Sequence, residues 1–311
     1  MARTQIPGIF ILSSLLFGPS LAAQQKFPTI VYEVKETVVK VEIHLVNTQD
    51  HESVSDQLKL CFKESDYCVI GAGVRINDDG VVLTAAHVAR DTTVASQILL
   101  NLGIESEVMI AGEARNAEYV KNDVSTPGGA FRASIMKIDP EHDIALLEPE
   151  GSPLKQEISA IDSGSRLHRR PLQTARISVQ SPDVAEALFA FGFAMFSPAL
   201  ITTPGSVVSA TGSKSLIEAK KSGEPQPVPV LRAKLDINPG NSGGPLFRSS
   251  DGALLGIESE IGDERGIVAT VIPASEIARF LSANAITWNA AAPSQQANVA
   301  SSKASHRKSR H

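Results

Sequence analysis

Between residues 37 and 150 the chain alternates short apolar runs with polar positions: "TVVKVEIHLV", "VIGAGVRI", "GVVLTAAHV", "FRASIMKID" and "DIALLEPE", separated by turns rich in Gly, Pro, Asn and Asp. A period of two puts successive side chains on opposite faces, so each run reads as a strand with one buried side. From Thr29 onward the spacing predicts an all-β sandwich or barrel. In "INDDGVV" Gly80 supplies the positive φ of a hairpin turn. Residues 151–182 are polar and broken by Gly and Pro, lack a sustained strand pattern, and read as a connector between two β halves. Their cluster Arg166, His168, Arg169 and Arg170 is compatible with an anionic partner and equally with a solvated linker.

Strand-like runs resume with "TARISVQ", "ALFAFGFA", "GSVVSATG", "PVLRAKLDI", "ALLGIES" and "GIVATVI". The stretch "PASEIARFLSAN" predicts a short amphipathic helix, capped by Ser275, with Ile277, Phe280 and Leu281 on one face. After Trp288 the chain loses apolar bulk and acids and gains Lys303, Arg307, Lys308 and Arg310, so residues 289–311 predict a disordered basic tail able to touch an anionic surface. The expected layout is residues 1–23 as a leader, 24–150 and 183–288 as two β units, 151–182 between them, and 289–311 as the tail.

The leader follows from Arg3, the apolar run Ile9–Leu16 and small residues around Ala22 and Ala23, the pattern of a secretory signal peptide. A membrane anchor is the alternative, but Gly18 and Pro19 interrupt a stretch already short for a span. Composition, 42% hydrophobic and 20% charged, is that of an ordinary globular protein. The net charge of −5 argues against nucleic acid as a partner. Cys61 and Cys68, in the part expected to be exported, are candidates for a disulfide closing a small loop; two cysteines without a nearby His undersupply a metal, so none is expected.

The stretch "LDINPGNSGGPLF" (235–247) surrounds one hydroxyl, Ser242, with glycines. A serine becomes a nucleophile only when a base takes its proton and donors await the oxyanion that its attack creates. Glycines let backbone N–H groups turn inward and a substrate chain pass close, and the N–H groups of Gly240 and Ser242 are the candidate oxyanion donors. A glycine-rich turn between strands is the bland alternative. Among the seven histidines, His87 follows an apolar strand and two alanines, a place from which an imidazole can enter a cleft. Asp143 leads directly into an apolar strand, where a charge without a partner is costly. His142 beside it faces the other way by strand alternation.

"LTAAHV", "DIALL" and "PGNSGGPL", in the order His, Asp, Ser, resemble the trypsin-like (chymotrypsin-fold) serine proteases. The resemblance covers most of residues 30–288 and implies two six-stranded antiparallel β-barrels, a short C-terminal helix, and a triad of His87, Asp143 and Ser242 in the cleft between barrels. It implies acyl transfer by Ser242 with His87 as base and no cofactor. Val88 and Asn241 stand where digestive-type members have Cys and Asp, so activation through a freed N-terminus is not expected. "INPGNSGGPLF" and "LLGIESE…GIVATVIPASEI" look like the HtrA-type bacterial envelope proteases, although the PDZ domains usual in that branch are not recognisable here.

For the substrate pocket, Asp236 lies at the offset from Ser242 at which trypsins select basic residues. HtrA-type members instead use apolar residues, which correspond here to Ile237 and Ile261; the expectation is an aliphatic residue before the scissile bond, with a basic one as the alternative. Ser259 would support Asp143 by a hydrogen bond. The sequence is compatible with an exported endopeptidase acting on unfolded or exposed polypeptide segments in a periplasm or outside the cell. It is also compatible with a silent protease-fold binding or chaperone-like protein, or with a tail-driven envelope protein, and it leaves a homo-oligomer open.

Overall fold

The computed structural model describes residues 21–46, 67–89, 105–111, 130–150, 156–161, 167–171, 173–194, 199–214, 228–261 and 267–292. Helix α1 (Leu21–Lys35) precedes six strands: β1 (Val38–Val46), β2 (Tyr67–Arg75), β3 (Val82–Thr84), β4 (Glu105–Ala111), β5 (Ala130–Asp139) and β6 (Ile144–Pro149). They pair in the order β1-β2-β3-β6-β5-β4 and close into a barrel through β4 and β1. A four-residue helix, α2 (Ala86–Ala89), follows β3 directly.

Strands β7 (Gln156–Ile161) and β8 (Leu167–Pro171) form a separate hairpin, followed by the short β9 (Arg176–Ile177). The second unit comprises β10 (Ala187–Gly192), β11 (Ile201–Lys214), β12 (Val228–Lys234), β13 (Pro245–Arg248), β14 (Leu254–Ile261) and β15 (Val268–Pro273). The pairing of β13 with β14 closes these six strands into a second ring. Helix α3 (Ala274–Ala283) then packs back, and β16 (Asn289–Ala290) lies parallel to β9. The all-β fold with two six-stranded barrels and a terminal helix is the architecture expected from the sequence.

Alternation builds three cores. Val39, Val41, Val82 and Leu147 fill the first barrel. The second encloses Leu188, Leu231, Leu246 and Val271. The opposite faces of the same strands make a third core between the barrels, where Leu83, Ile144 and Leu146 meet Phe189, Phe247, Ile257 and Ile272. Each fully buried side chain of this size contributes roughly 1.5–3 kcal/mol relative to exposure, so this shared core holds the two units together.

Four local expectations are corrected. The strand pattern expected from Thr29 does not begin until Val38, because Phe27, Ile30, Val31 and Val34 follow a helical stripe and seat α1 on the inter-barrel core. Phe27 meets the ring of Phe189 edge-on at 5.3 Å. Residues 151–182 contain the β7–β8 hairpin, which pairs with neither barrel. Ser275 does not cap α3: β15 runs straight into the helix, Pro273 occupies the cap position without a side-chain bond, and Ser275 is the second helical residue. Asn289–Ala290, placed in the tail, form β16. Ile277 and Leu281 are fully buried as expected, with Phe280 packed beside them, and Gly80 has φ +83°. Residues 1–20, Cys61 and 293–311 lie outside the described residues, as does the side chain of Cys68, and with them most of the expected leader, the disulfide and most of the tail; residues 21–23, placed in the leader, begin α1. Among the described residues no helix is long and apolar enough to cross a membrane.

Candidate active site

The ladder between β3 and β6 brings His87 and Asp143 together. Thr84 pairs with Ala145, so continuing both strands outward places Ala86 opposite Asp143, and the Ala86 N–H donates to the Asp143 carbonyl at 3.1 Å. The small residues Ala85 and Ala86 let α2 turn tightly there, and His87 leaves it with its side chain 43% exposed on the groove. Asp143 is 8% exposed and has φ +57°, a left-handed conformation for which Asp and Asn are among the best-suited non-glycine residues.

His87 Nδ1 is 3.0 Å from both carboxylate oxygens of Asp143, and the His87 backbone N–H donates to Oδ1 at 3.0 Å. The Ser259 hydroxyl donates to Oδ2. Burial pushes the Asp143 carboxyl up, but the hydrogen bond and charge of His87, with the Ser259 and backbone donors, outweigh it and hold the carboxyl below its ordinary value. The carboxylate is ionised at neutral pH. A neutral imidazole that donates from Nδ1 keeps its lone pair on Nε2, the state that a general base requires.

Ser242 is carried by two successive turns and lies in the second of them. The Asn241 N–H donates to the Asn238 carbonyl at 3.1 Å, closing Asn238-Pro239-Gly240-Asn241; Pro in second place and Gly240 with φ +98° in third fit a type II turn. The Gly244 N–H donates to the Asn241 carbonyl at 2.8 Å, closing a second turn with Gly243 at φ +77°. Among the described residues, no backbone acceptor is recorded for the Gly240 or Ser242 N–H.

The Ser242 loop is held to the first barrel. The Ser242 carbonyl accepts from the Ala72 N–H at 2.8 Å, and the Thr84 hydroxyl donates to the Ala72 carbonyl at 2.7 Å. A Cβ on Gly243 would lie 2.2 Å from Thr84 Oγ1 and 2.3 Å from the Ala72 carbonyl oxygen. Backbone of the nucleophile loop therefore touches the segment that carries His87. Gly243→Ala is expected to destabilise the protein by about 3 kcal/mol, from overpacking plus a left-handed alanine, read as a lower urea midpoint. No hydrogen bond joins Ser242 Oγ to His87 among the described residues. Catalytic contacts are often loose before substrate binds.

The expected pocket residues divide. Asp236 is exposed and lines a surface groove with Lys234, Pro204 and Ile267. Ile237 is buried in the interior core of the second barrel. Ile261 ends β14 opposite Ala269, and its side chain lies outside the described residues. His142 lies in the turn between β5 and β6, not in a strand, so alternation does not set its direction; its Nδ1 donates to Asp139 at 2.8 Å and its Nε2 lies 3.1 Å from Arg279 Nη2.

Two residues have settings that the sequence reading did not anticipate. The Asn241 side chain is buried against Gly192, and its Oδ1 has no hydrogen-bond partner among the described residues. Glu258 is 2% exposed, and burial pushes its carboxyl up to about 8. An acid inside "LLGIESEI" was the available signal. Because folding raises this pKa from 4.5, Glu258 favours the folded state below that value and progressively less as pH rises to about 8. The urea midpoint is expected to fall between pH 5 and 8, by at most about 5 kcal/mol of stability, and Glu258→Gln to flatten that slope.

Residues 71–257, more than half of the chain, match the trypsin-like peptidase domain. The chain belongs to the trypsin-like peptidase family. Curated proteins similar to it are described as DegP-like serine endoproteases. It is 26% identical over 278 residues to a probable periplasmic serine endoprotease DegP-like from Ectopseudomonas mendocina (strain ymp), covering 81% of this chain and 47% of the relative. A protein described in the same words from Marinomonas sp. (strain MWYL1) is 31% identical over 192 residues, covering 62% of this chain and 30% of the relative. The chain thus spans at most about half the length of these relatives. The crystal structure of the Rv3671c protease of M. tuberculosis H37Rv in its inactive form shares the fold at a TM-score of 0.52 and 18% identity, covering 85% of this chain and 96% of that one.

Proposed function

We propose that this protein is an endopeptidase in which Ser242 attacks a peptide carbonyl, His87 takes the hydroxyl proton at Nε2, and Asp143 fixes the imidazole and stabilises its charged form. The N–H groups of Gly240 and Ser242 receive the developing oxyanion. His87 then returns the proton to the leaving amine, the acyl group stays on Ser242 Oγ, and a water activated by His87 releases it. The observation that carries this assignment is the buried, ionised Asp143 held between His87 and Ser259, with the Ser242 loop bonded to the same barrel wall.

The substrates are polypeptides in extended form. An unfolded or exposed segment can lie along the groove with its carbonyl at Ser242, and β14 offers a strand beside which it can be added. Leu235, Ile237 and Val271 make the adjoining barrel interior apolar, suited to an aliphatic side chain or to the methylenes of a longer one. The leader-like first 23 residues, together with relatives described as periplasmic, support export to the cell envelope. The pairing of Cys61 with Cys68 belongs to that oxidising location.

A fluorophosphonate probe is expected to label the wild-type protein at Ser242 and to leave Ser242→Ala unlabelled. A folded wild-type protein that neither takes the label nor cleaves an unfolded protein would favour the silent binding role.

A further inference from the structure

The triad leaves one buried acid unused. On β14, Ile257 packs with Ile144 and Leu146 between the barrels, and Ser259 donates to Asp143. Glu258 stands between them, and successive strand residues face opposite sides, so its side chain is directed into the second barrel. Its cross-strand partner on β15 is Val271, a member of that interior core with Leu231 and Ile237; residues directly opposite in a ladder share a face.

The height of Glu258 along the barrel is fixed by its backbone. The Gly243 N–H donates to the Glu258 carbonyl at 2.7 Å, and the Glu258 N–H donates to the Gly244 carbonyl at 2.8 Å. Glu258 is therefore bonded to the two residues that follow Ser242, so it stands beside the nucleophile loop. Among the described residues no donor or cation meets its carboxyl. An unpaired acid in apolar surroundings is costly, and that cost is relieved by a partner arriving from outside.

We infer that Glu258 is a specificity-determining residue whose carboxyl receives the cationic head of a Lys or Arg side chain immediately before the scissile bond. This rests on Ser242 being the nucleophile. The methylene stem of such a side chain lies along Val271 and Ile237, and its charge reaches the acid. Asp236 does not compete for that role, since it is exposed on the outer groove.

The empty site is protonated at neutral pH, because burial raises Glu258 to about 8. When a cation enters, Glu258 gives its proton to solvent and the ion pair forms. The residues described on the same face, Val271 of β15, Leu231 of β12, and Leu235 and Ile237 of the following loop, carry no titratable group. Preference for a basic side chain therefore grows as pH rises from 6 to 8.

The test uses two peptides identical except for Lys or norleucine before the scissile bond, compared as a ratio of kcat/KM so that pH effects common to both peptides cancel. Wild type is expected to favour Lys by about tenfold or more at pH 8, with a smaller ratio at pH 6. Glu258→Gln is expected to remove the preference through KM while keeping fluorophosphonate labelling of Ser242; Glu258→Val serves as a second variant. Equal or better cleavage of the norleucine peptide by wild type at both pH values would overturn the role of Glu258 and leave the endopeptidase standing, as would a Lys preference that survives in either variant. Cleavage of neither peptide, with Ser242 unlabelled, would overturn the nucleophile assignment and this inference with it.

Discussion

Replacing Ser242 by Ala is expected to lower peptide hydrolysis about a millionfold while leaving the fold intact. Alanine removes only Oγ; the carbonyl that accepts from Ala72 and both turn-closing hydrogen bonds belong to the backbone and persist. Without the hydroxyl, His87 has no proton to take and no acyl-enzyme forms. Residual rate comes from binding and the oxyanion donors alone, which in serine proteases supply roughly 10³–10⁴-fold over water. The measurement is kcat on an unfolded protein substrate, with urea denaturation as the control for folding. Purified Ser242→Ala that keeps a rate within tenfold of wild type would sink the assignment.

Asp143→Asn is expected to lower kcat by about 10⁴ at neutral pH with little loss of stability. The φ of +57° at this position favours Asn as well as Asp, and the amide fills the same volume beneath Ser259. What changes is the direction of donation. An amide whose oxygen still accepts from the His87 backbone N–H or Ser259 turns its NH₂ towards His87 Nδ1, so that Nδ1 becomes the acceptor and the ring proton moves to Nε2. A base protonated at the attacking nitrogen cannot receive the serine proton. Similar urea midpoints with near-normal kcat would show that Asp143 does not set the tautomer.

The candidate site is more legible in the sequence than its surroundings. His87, Asp143 and Ser242 were legible because each stands in a local pattern with a physical purpose: small residues before the imidazole, an acid at the start of an apolar strand, glycines around a hydroxyl. Both barrels were legible because their strands bury one face and alternate. The β7–β8 hairpin was not, since it contributes to neither barrel. Helix α1 was hidden by Pro28 and by β-branched residues, although Phe27, Ile30, Val31 and Val34 already carried a helical period. Asp236 and Glu258 show why a pocket resists reading from spacing. Which acid turns inward depends on a strand register and a turn that appear only once the second barrel closes.

The seat of α1 bears on how the chain assembles. The stripe formed by Phe27, Ile30 and Val34 rests on Phe189 and over Gly252, groups that emerge late in synthesis. Until then this early segment is a sticky ribbon with no berth, and contacts so distant along the polymer form slowly. Nascent protein must therefore hold an oily stretch without cover until strands made much later along the chain arrive to receive it.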